Sequence, residues 1–203
     1  MILHQMHDSG NCYKVRLVAH QLGIPLKLQE YGLHDGSTRT PQFLAKNMNG
    51  RVPLLELDDG RFLPESGAIL FYLTEGTDLQ PKDKWARAEM MQWMFFEQYS
   101  HEPYIAVARF VAHYSPPEVR ERRKGEMPML VERGNAALGV METHLKTHDW
   151  FAGNAYSIAD IALYGYTHAA DEGGFDLGKY PAVTQWLARV AGQPRHIPLS
   201  HTP

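Results

Sequence analysis

Two short stretches of this chain carry residues whose types and spacing suit the binding of a small polar ligand. The first is Arg51-Val52-Pro53-Leu54-Leu55, and the second, a dozen residues on, is Pro64-Glu65-Ser66-Gly67-Ala68. Pro53 opens an apolar strand, a place where the sheet does not need the N–H that proline lacks. A cis bond before it, cheap for a prolyl peptide, would turn the N–H and C=O of Val52 outward to meet an extended peptide. In the second stretch a strand gives way to a helix. Glu65 there offers a carboxylate, and Ser66 a hydroxyl beside the N–H groups of the helix start. A carboxylate for an ammonium and a helix start for a carboxylate describe a pocket for a small peptide bearing both charges.

The flanking patterns supply a scaffold for these stretches. Ile2-Leu3-His4-Gln5-Met6 reads as a short strand and His7-Asp8-Ser9-Gly10-Asn11 as a turn. Val15, Leu17, Val18 and Leu22 then recur at helical spacing until Gly23-Ile24-Pro25 stops the helix. The alternating segment 26–31 predicts a second strand, parallel to the first through a right-handed crossover. Residues 41–46 predict a short helix and 53–57 a third strand. Asp58-Asp59-Gly60 signals a hairpin into a fourth strand over 61–63. A helix over 66–73 completes the order β-α-β-α-β-β-α, which is the thioredoxin-like arrangement.

Beyond Gly76 the texture changes. The polar, turn-rich run from Gly76 to Asp83 reads as a linker, and strand signals vanish after it. Residues 85–109 are rich in Met and aromatics, with a kink or register change expected at His101-Glu102-Pro103. A helix is predicted over 128–144, with Leu130, Ala137, Leu138 and Met141 on its apolar stripe. Ser157-Ile158-Ala159-Asp160 is a capping-box variant opening a helix that runs to about Ala170, and 182–190 predict a last helix. The expected organisation is α/β plus all-α: an N-terminal thioredoxin-like domain over 1–76, a linker over 77–85, and a C-terminal helical bundle over 86–203.

Five segments stand out together: Ser9-Gly10-Asn11-Cys12-Tyr13-Lys14-Val15, Pro41-Gln42-Phe43, Asn47-Met48-Asn49-Gly50-Arg51-Val52-Pro53, Glu65-Ser66-Gly67-Ala68-Ile69 and Ser157-Ile158-Ala159-Asp160-Ile161-Ala162-Leu163. As a set they resemble the cytosolic glutathione transferases. They span almost the whole chain in family order. The serine-type and bacterial members fit better than the tyrosine-type ones, because no tyrosine ends the first strand.

The resemblance implies conjugation of the glutathione thiolate to small hydrophobic electrophiles, a detoxification chemistry. Glutathione would enter as co-substrate, with no metal. A glutathione-dependent disulfide reductase or peroxidase is an alternative, and so is a non-catalytic binding protein of the same fold. By the same resemblance Ser9 is the first candidate to donate a hydroxyl to the sulfur, and Asn11 is its rival through a side-chain amide. Either residue could instead simply cap the first helix. Glu65 would hold the γ-glutamyl ammonium, Ser66 its carboxylate, and the Val52 backbone would pair with the peptide. Arg39 and Arg51 are cations within reach of the glycyl carboxylate, or else solvated surface. Cys12 reads as a small buried hydrophobe before it reads as a nucleophile. Phe95, Phe96, Tyr99, Tyr104, Phe110 and Tyr164 are available for the second substrate. The family also pairs as a symmetric homodimer.

Composition agrees with this reading. The 203 residues can hold one large or two small domains, and a net charge of −3 gives no footprint for nucleic acid or an acidic membrane. One cysteine suits a reducing compartment, and the first residues lack the basic and apolar regions of a signal peptide. A cytoplasmic location is expected. Eleven histidines invite a metal, and His144 and His148 stand i, i+4, but no further ligand pattern completes a site.

Overall fold

Four strands, β1 (Ile2–Gln5), β2 (Lys27–Glu30), β3 (Leu54–Glu56) and β4 (Phe62–Pro64), form one sheet in the order β2-β1-β3-β4. They belong to a computed structural model that describes residues 1–201. β1 runs parallel to β2 and antiparallel to β3, and β3 pairs antiparallel with β4. The parallel pair and the hairpin are as the sequence predicts. Leu54 and Leu55 are neighbours that point to opposite faces, yet both are fully buried, so this sheet is covered on both sides. The hairpin turns at Gly60, whose φ of 84° is open to glycine at no steric cost.

Local chemistry sets the helix ends. α1 (Gly10–Leu22) starts where the Ser9 side chain accepts from the Cys12 N–H, and stops at Gly23 in the left-handed conformation. α2 (Pro41–Lys46) has proline in its first turn and Thr40 as its cap, and α3 is Ser66–Leu73. The turn between β1 and α1 is pinned from below. The Glu30 carboxylate accepts from the His7 N–H and the Gln5 amide, while Arg16 donates to the Gln5 side chain and the His7 carbonyl. Two compact units emerge. The first is Met1–Thr77 together with the chain from Gln193 onward, and the second is Asp78–Gly192.

In the second unit α4 (Lys84–Phe96) begins at Asp83, whose carboxylate accepts from the Ala86 N–H. A π-turn over Glu97–His101 separates it from α5 (Glu102–Arg109), and a second follows at Phe110–Tyr114. The expected kink is therefore a widened turn. Pro103 has no N–H for the preceding turn, and the chain absorbs the lost bond as one wide loop of helix. α6 (Pro117–Arg123) has no sequence counterpart above, because none of its residues is buried and no apolar stripe marks it. α7 (Met127–Leu145) packs against Phe175 at Gly134, where an added Cβ would lie 2.3 Å from the Phe175 ring. α8 (Ile158–Thr167) opens with the expected capping box and ends three residues short of Ala170, followed by a 3-10 turn over Ala170–Gly173. α9 is Pro181–Ala191. No helix among the described residues is long and apolar enough to cross a membrane.

Candidate functional site

The sheet register brings the sequence motifs of the first unit to one edge. Leu54 pairs with both His4 and Pro64. The residues before Leu54, after Pro64 and after β1 therefore leave the sheet at the same end. Those residues are Val52-Pro53, Glu65-Ser66 and the turn carrying Ser9 and Asn11.

The Val52–Pro53 bond is cis. The loop before it is braced from two sides. Asn47, itself buried, donates its side-chain amide to the Arg51 carbonyl at 2.8 Å, and Arg39 donates to the Asn49 carbonyl at 2.9 Å. The Arg39 guanidinium lies so close to Gly50 that a Cβ there would come within 2.5 Å of it, and Gly50 has φ of 61°. Arg39 thus has a structural role at the loop. Arg51 is exposed, and only its carbonyl has a described tie to the site.

Glu65 stands at φ 72°, ψ 117°, a conformation that side-chain-bearing residues avoid and that costs on the order of 1–3 kcal/mol. Its side chain is exposed, and Ser66 after it is buried as the first residue of α3. The Ser66 hydroxyl donates to Asn11 Oδ1 at 3.1 Å, and Lys14 Nζ donates to the same oxygen at 2.7 Å. This joins the starts of α1 and α3, so two sets of helix N–H groups and one ammonium face a small region. Such a region favours an anion. Lys14 is 1% exposed, a burial that the sequence alone does not signal. Its i, i+3 spacing from Asn11 signals only that the two side chains are neighbours.

Ser9 is placed differently. Its oxygen accepts from the Cys12 N–H at 3.3 Å. Capping uses a lone pair rather than the hydroxyl hydrogen, so the cap does not by itself remove Ser9 as a donor. Cys12 is fully buried, and its sulfur accepts from the Met6 N–H at 3.4 Å. Burial pushes its thiol up to about 11 against the small opposing pull of Met6, Ser9 and Arg16.

In the second unit the aromatic candidates separate. Tyr164 is core, ringed by Trp186 and His168, whereas Phe95 and Tyr99 are exposed. The Tyr104 hydroxyl accepts from Arg133 at 3.2 Å. The His144 and His148 rings stack at 4.3 Å, and His144 Nε2 sits 3.0 Å from the Trp150 carbonyl. Among the described residues no three His, Cys, Asp or Glu side chains are grouped to hold a metal.

Residues 3–81 match the family model for the glutathione S-transferase N-terminal domain, and residues 93–194 match that for the C-terminal domain. The chain belongs to the glutathione S-transferase family. A glutathione S-transferase structure from Pseudomonas fluorescens Pf-5 is 49% identical, covers 98% of each chain and superposes with a TM-score of 0.94. Among curated relatives, the disulfide-bond oxidoreductase YfcG of Escherichia coli K12 is 30% identical over 91% of this chain and 87% of its own length. Glutathione S-transferase D7 of Anopheles gambiae is 32% identical over 93% of this chain and 84% of its own. The two-domain architecture and the thioredoxin-like N-terminal fold expected from sequence are those of the family.

Proposed function

We propose that this transferase-family protein binds glutathione at the sheet edge of its first unit and activates the thiol chiefly through Asn11. The bond between Asn11 and Ser66 carries the reading, because it ties a sulfur-side amide to the hydroxyl that would receive the γ-glutamyl carboxylate. Ser9 is the weaker candidate, since its described bond is the α1 cap at the Cys12 N–H, whereas Asn11 is tied to Ser66. Glu65 would take the ammonium and Val52 would pair with the peptide backbone. Arg51 is the free-standing cation for the glycyl carboxylate, while Arg39 serves the loop.

A free thiol has a pKa near ~8.5, and lowering it by ~2 units requires ~2.7 kcal/mol of preference for the anion. One hydrogen bond to a charged acceptor supplies about 1.5–3 kcal/mol, and a helix N-terminus adds roughly 0.3–1. Asn11 at the start of α1 has both. The resulting thiolate attacks a carbon of a small hydrophobic electrophile, forming a C–S bond as the leaving group departs with its electron pair.

A second reading is disulfide reduction, favoured by the E. coli relative. The same thiolate would attack a disulfide sulfur, releasing one thiolate and leaving a mixed disulfide with glutathione. Cys12 is unsuited to resolve that product, because it is buried and its thiol is pushed up to about 11. A second glutathione would do so, leaving as glutathione disulfide.

We read the exposed stripe of α4 as a homodimer face. Trp85 and Phe95 on α4 and Tyr99 in the π-turn after it are 72%, 65% and 83% exposed, more apolar surface than a monomer in water usually leaves uncovered. Light scattering at micromolar concentration should give twice the chain mass. A location in the cytoplasm accompanies the reading.

The deciding experiment follows the ultraviolet absorbance of bound glutathione thiolate in Asn11→Ala and Ser9→Ala, beside assays with an aromatic chloride and a small disulfide. Asn11→Ala should titrate at higher pH and lose ~10–100-fold in turnover near neutrality. A shift in Ser9→Ala alone would return the role to the hydroxyl. The ratio of the two activities chooses between conjugation and reduction.

A further inference from the structure

We infer that Lys14 is a positioning residue that fixes which end of the Asn11 amide meets the sulfur. The inference rests on the assignment of Asn11 above. An asparagine side chain can turn over about its last bond, exchanging oxygen for NH2, and that torsion is soft and two-fold. Its neighbours decide which arrangement holds. The Ser66 hydroxyl cannot decide, because a hydroxyl donates to oxygen or accepts from NH2 equally well. An ammonium has no lone pair and can only donate. Lys14 Nζ, 2.7 Å from Oδ1, therefore distinguishes the two ends and commits the NH2 edge to donation elsewhere.

The distinction matters most when ligand is bound. Ser66 would then turn its hydroxyl towards the γ-glutamyl carboxylate and withdraw from Asn11. Lys14 would remain to hold Oδ1. A reversed amide would set an oxygen lone pair against the thiolate, repelling the charge that the site has to favour. The placement of Lys14 fits this task. A lysine that is 1% exposed is costly to hold, and its i, i+3 spacing in α1 puts it on the face shared with Asn11.

The test is a double-mutant cycle on the full-length protein, read by the thiolate fraction of bound glutathione at neutral pH and by kcat and KM for glutathione. Lys14→Met should lower the thiolate fraction and kcat by ~3–10-fold, with KM within about two-fold, because the lost interaction acts on the sulfur and not on the peptide. In an Asn11→Ala background the same change should have less than about two-fold effect, since nothing is left to position. Lys14→Gln, whose amide satisfies either arrangement of Asn11, should behave as Lys14→Met and serves if the methionine variant does not fold. An equal loss in both backgrounds would mean that Lys14 acts by its charge alone, and a lowered melting temperature with an unmoved thiolate fraction would mean a structural lysine. Either result overturns the inference while leaving Asn11 in place. If Asn11→Ala itself leaves the thiolate fraction unmoved, the underlying assignment falls first.

Discussion

The Tyr13 hydroxyl donates to the carbonyl of Ile197 at 2.7 Å, across 184 residues of sequence. This bond fastens the end of the chain to α1, the helix that Ser9 caps and whose N-terminal part carries Asn11 and Lys14. Arg16 and His20 on the same helix bond the carbonyl of Leu199 and the carbonyl of Arg195, and Ile197 is buried. The last segment is thus part of the packing of the first unit.

Truncation after Gly192 should therefore destabilise the first unit. It strips the Tyr13 hydroxyl of its acceptor, at about 1–3 kcal/mol, and uncovers the surface that Ile197 buries, worth about 1.5–3 kcal/mol. For a chain of this size each kcal/mol moves the melting temperature by roughly 2–4 °C. A fall of several degrees, with faster amide exchange along α1, is the expected result. A truncated protein that melts like the full chain would show that the tail contributes nothing.

Glu65 offers a test in which stability and binding move in opposite directions. Glycine accepts φ of 72° freely, so Glu65→Gly should stabilise the free protein by ~1 kcal/mol net of glycine's own entropy cost. The same change removes the carboxylate, and affinity for glutathione should fall by the ~1.5–3 kcal/mol of a charged hydrogen bond. Glu65→Ala should lose the binding without the gain, because its Cβ keeps the strain. Thermal shifts with and without glutathione read both quantities. Unchanged affinity in either variant would remove Glu65 from the site.

What the sequence made legible was local. Asp58-Asp59-Gly60, Pro41 at a helix start and the capping box of Ser157 and Asp160 are each decided within four residues, and each lies where its pattern puts it. The helix start at Ser66 is legible for the same reason. What escaped depended on distance or on the absence of a stripe. The contact of Tyr13 with Ile197 joins opposite ends of the chain, and α6 buries nothing. The sequence leaves Arg39 between the glycyl carboxylate and solvated surface, and its loop role is hidden because its partner, the Asn49 carbonyl, is a backbone group. Lys14 escaped for another reason. Lysine in a helix is ordinarily solvated, and no pattern within α1 marks this one as buried.

Asp160 makes a pH prediction of definite sign. It is fully buried and accepts from Trp186 Nε1 at 3.0 Å, from the backbone N–H groups of Phe151 and Ser157, and from the Ser157 hydroxyl. Burial outweighs these donors and pushes its carboxyl up to about 6. Between about pH 4 and 6 the native state then holds a proton that the unfolded chain has released. The stability this group contributes is greatest below its unfolded pKa and declines as pH rises through about 6. Half-buried carboxylates such as Glu56, held low by the His4 hydrogen bond, slope the other way, so the signal is a difference between proteins. Asp160→Asn should be less stable than the parent at every pH, because it turns an NH2 group towards the N–H of Ser157. The deficit, read from urea midpoints, should be larger at pH 4.5 than at pH 7.5, the difference being of order 1–3 kcal/mol. A deficit that grows with pH would reverse the assignment.

Cys12 tests whether protein thiol chemistry takes any part. A thiol pushed up to about 11 is roughly 0.1% ionised at pH 8, and this one has no surface through which a reagent could arrive. The native protein should therefore resist iodoacetamide for hours at pH 8 and react within minutes once unfolded in urea. Replacement by alanine removes one buried sulfur, so a loss of about 1–2 kcal/mol in stability is expected from the small cavity. Conjugation and disulfide reduction should both persist in Cys12→Ala at close to the parent rate, since neither the Asn11–Ser66 bond nor the Lys14 contact involves the sulfur. The two measurements separate packing from chemistry. Fast alkylation of the folded protein would show that α1 opens around the residue. Loss of disulfide reduction with conjugation intact would place Cys12 in a cysteine mechanism, and the resolving thiol would then be the protein's own rather than that of a second glutathione.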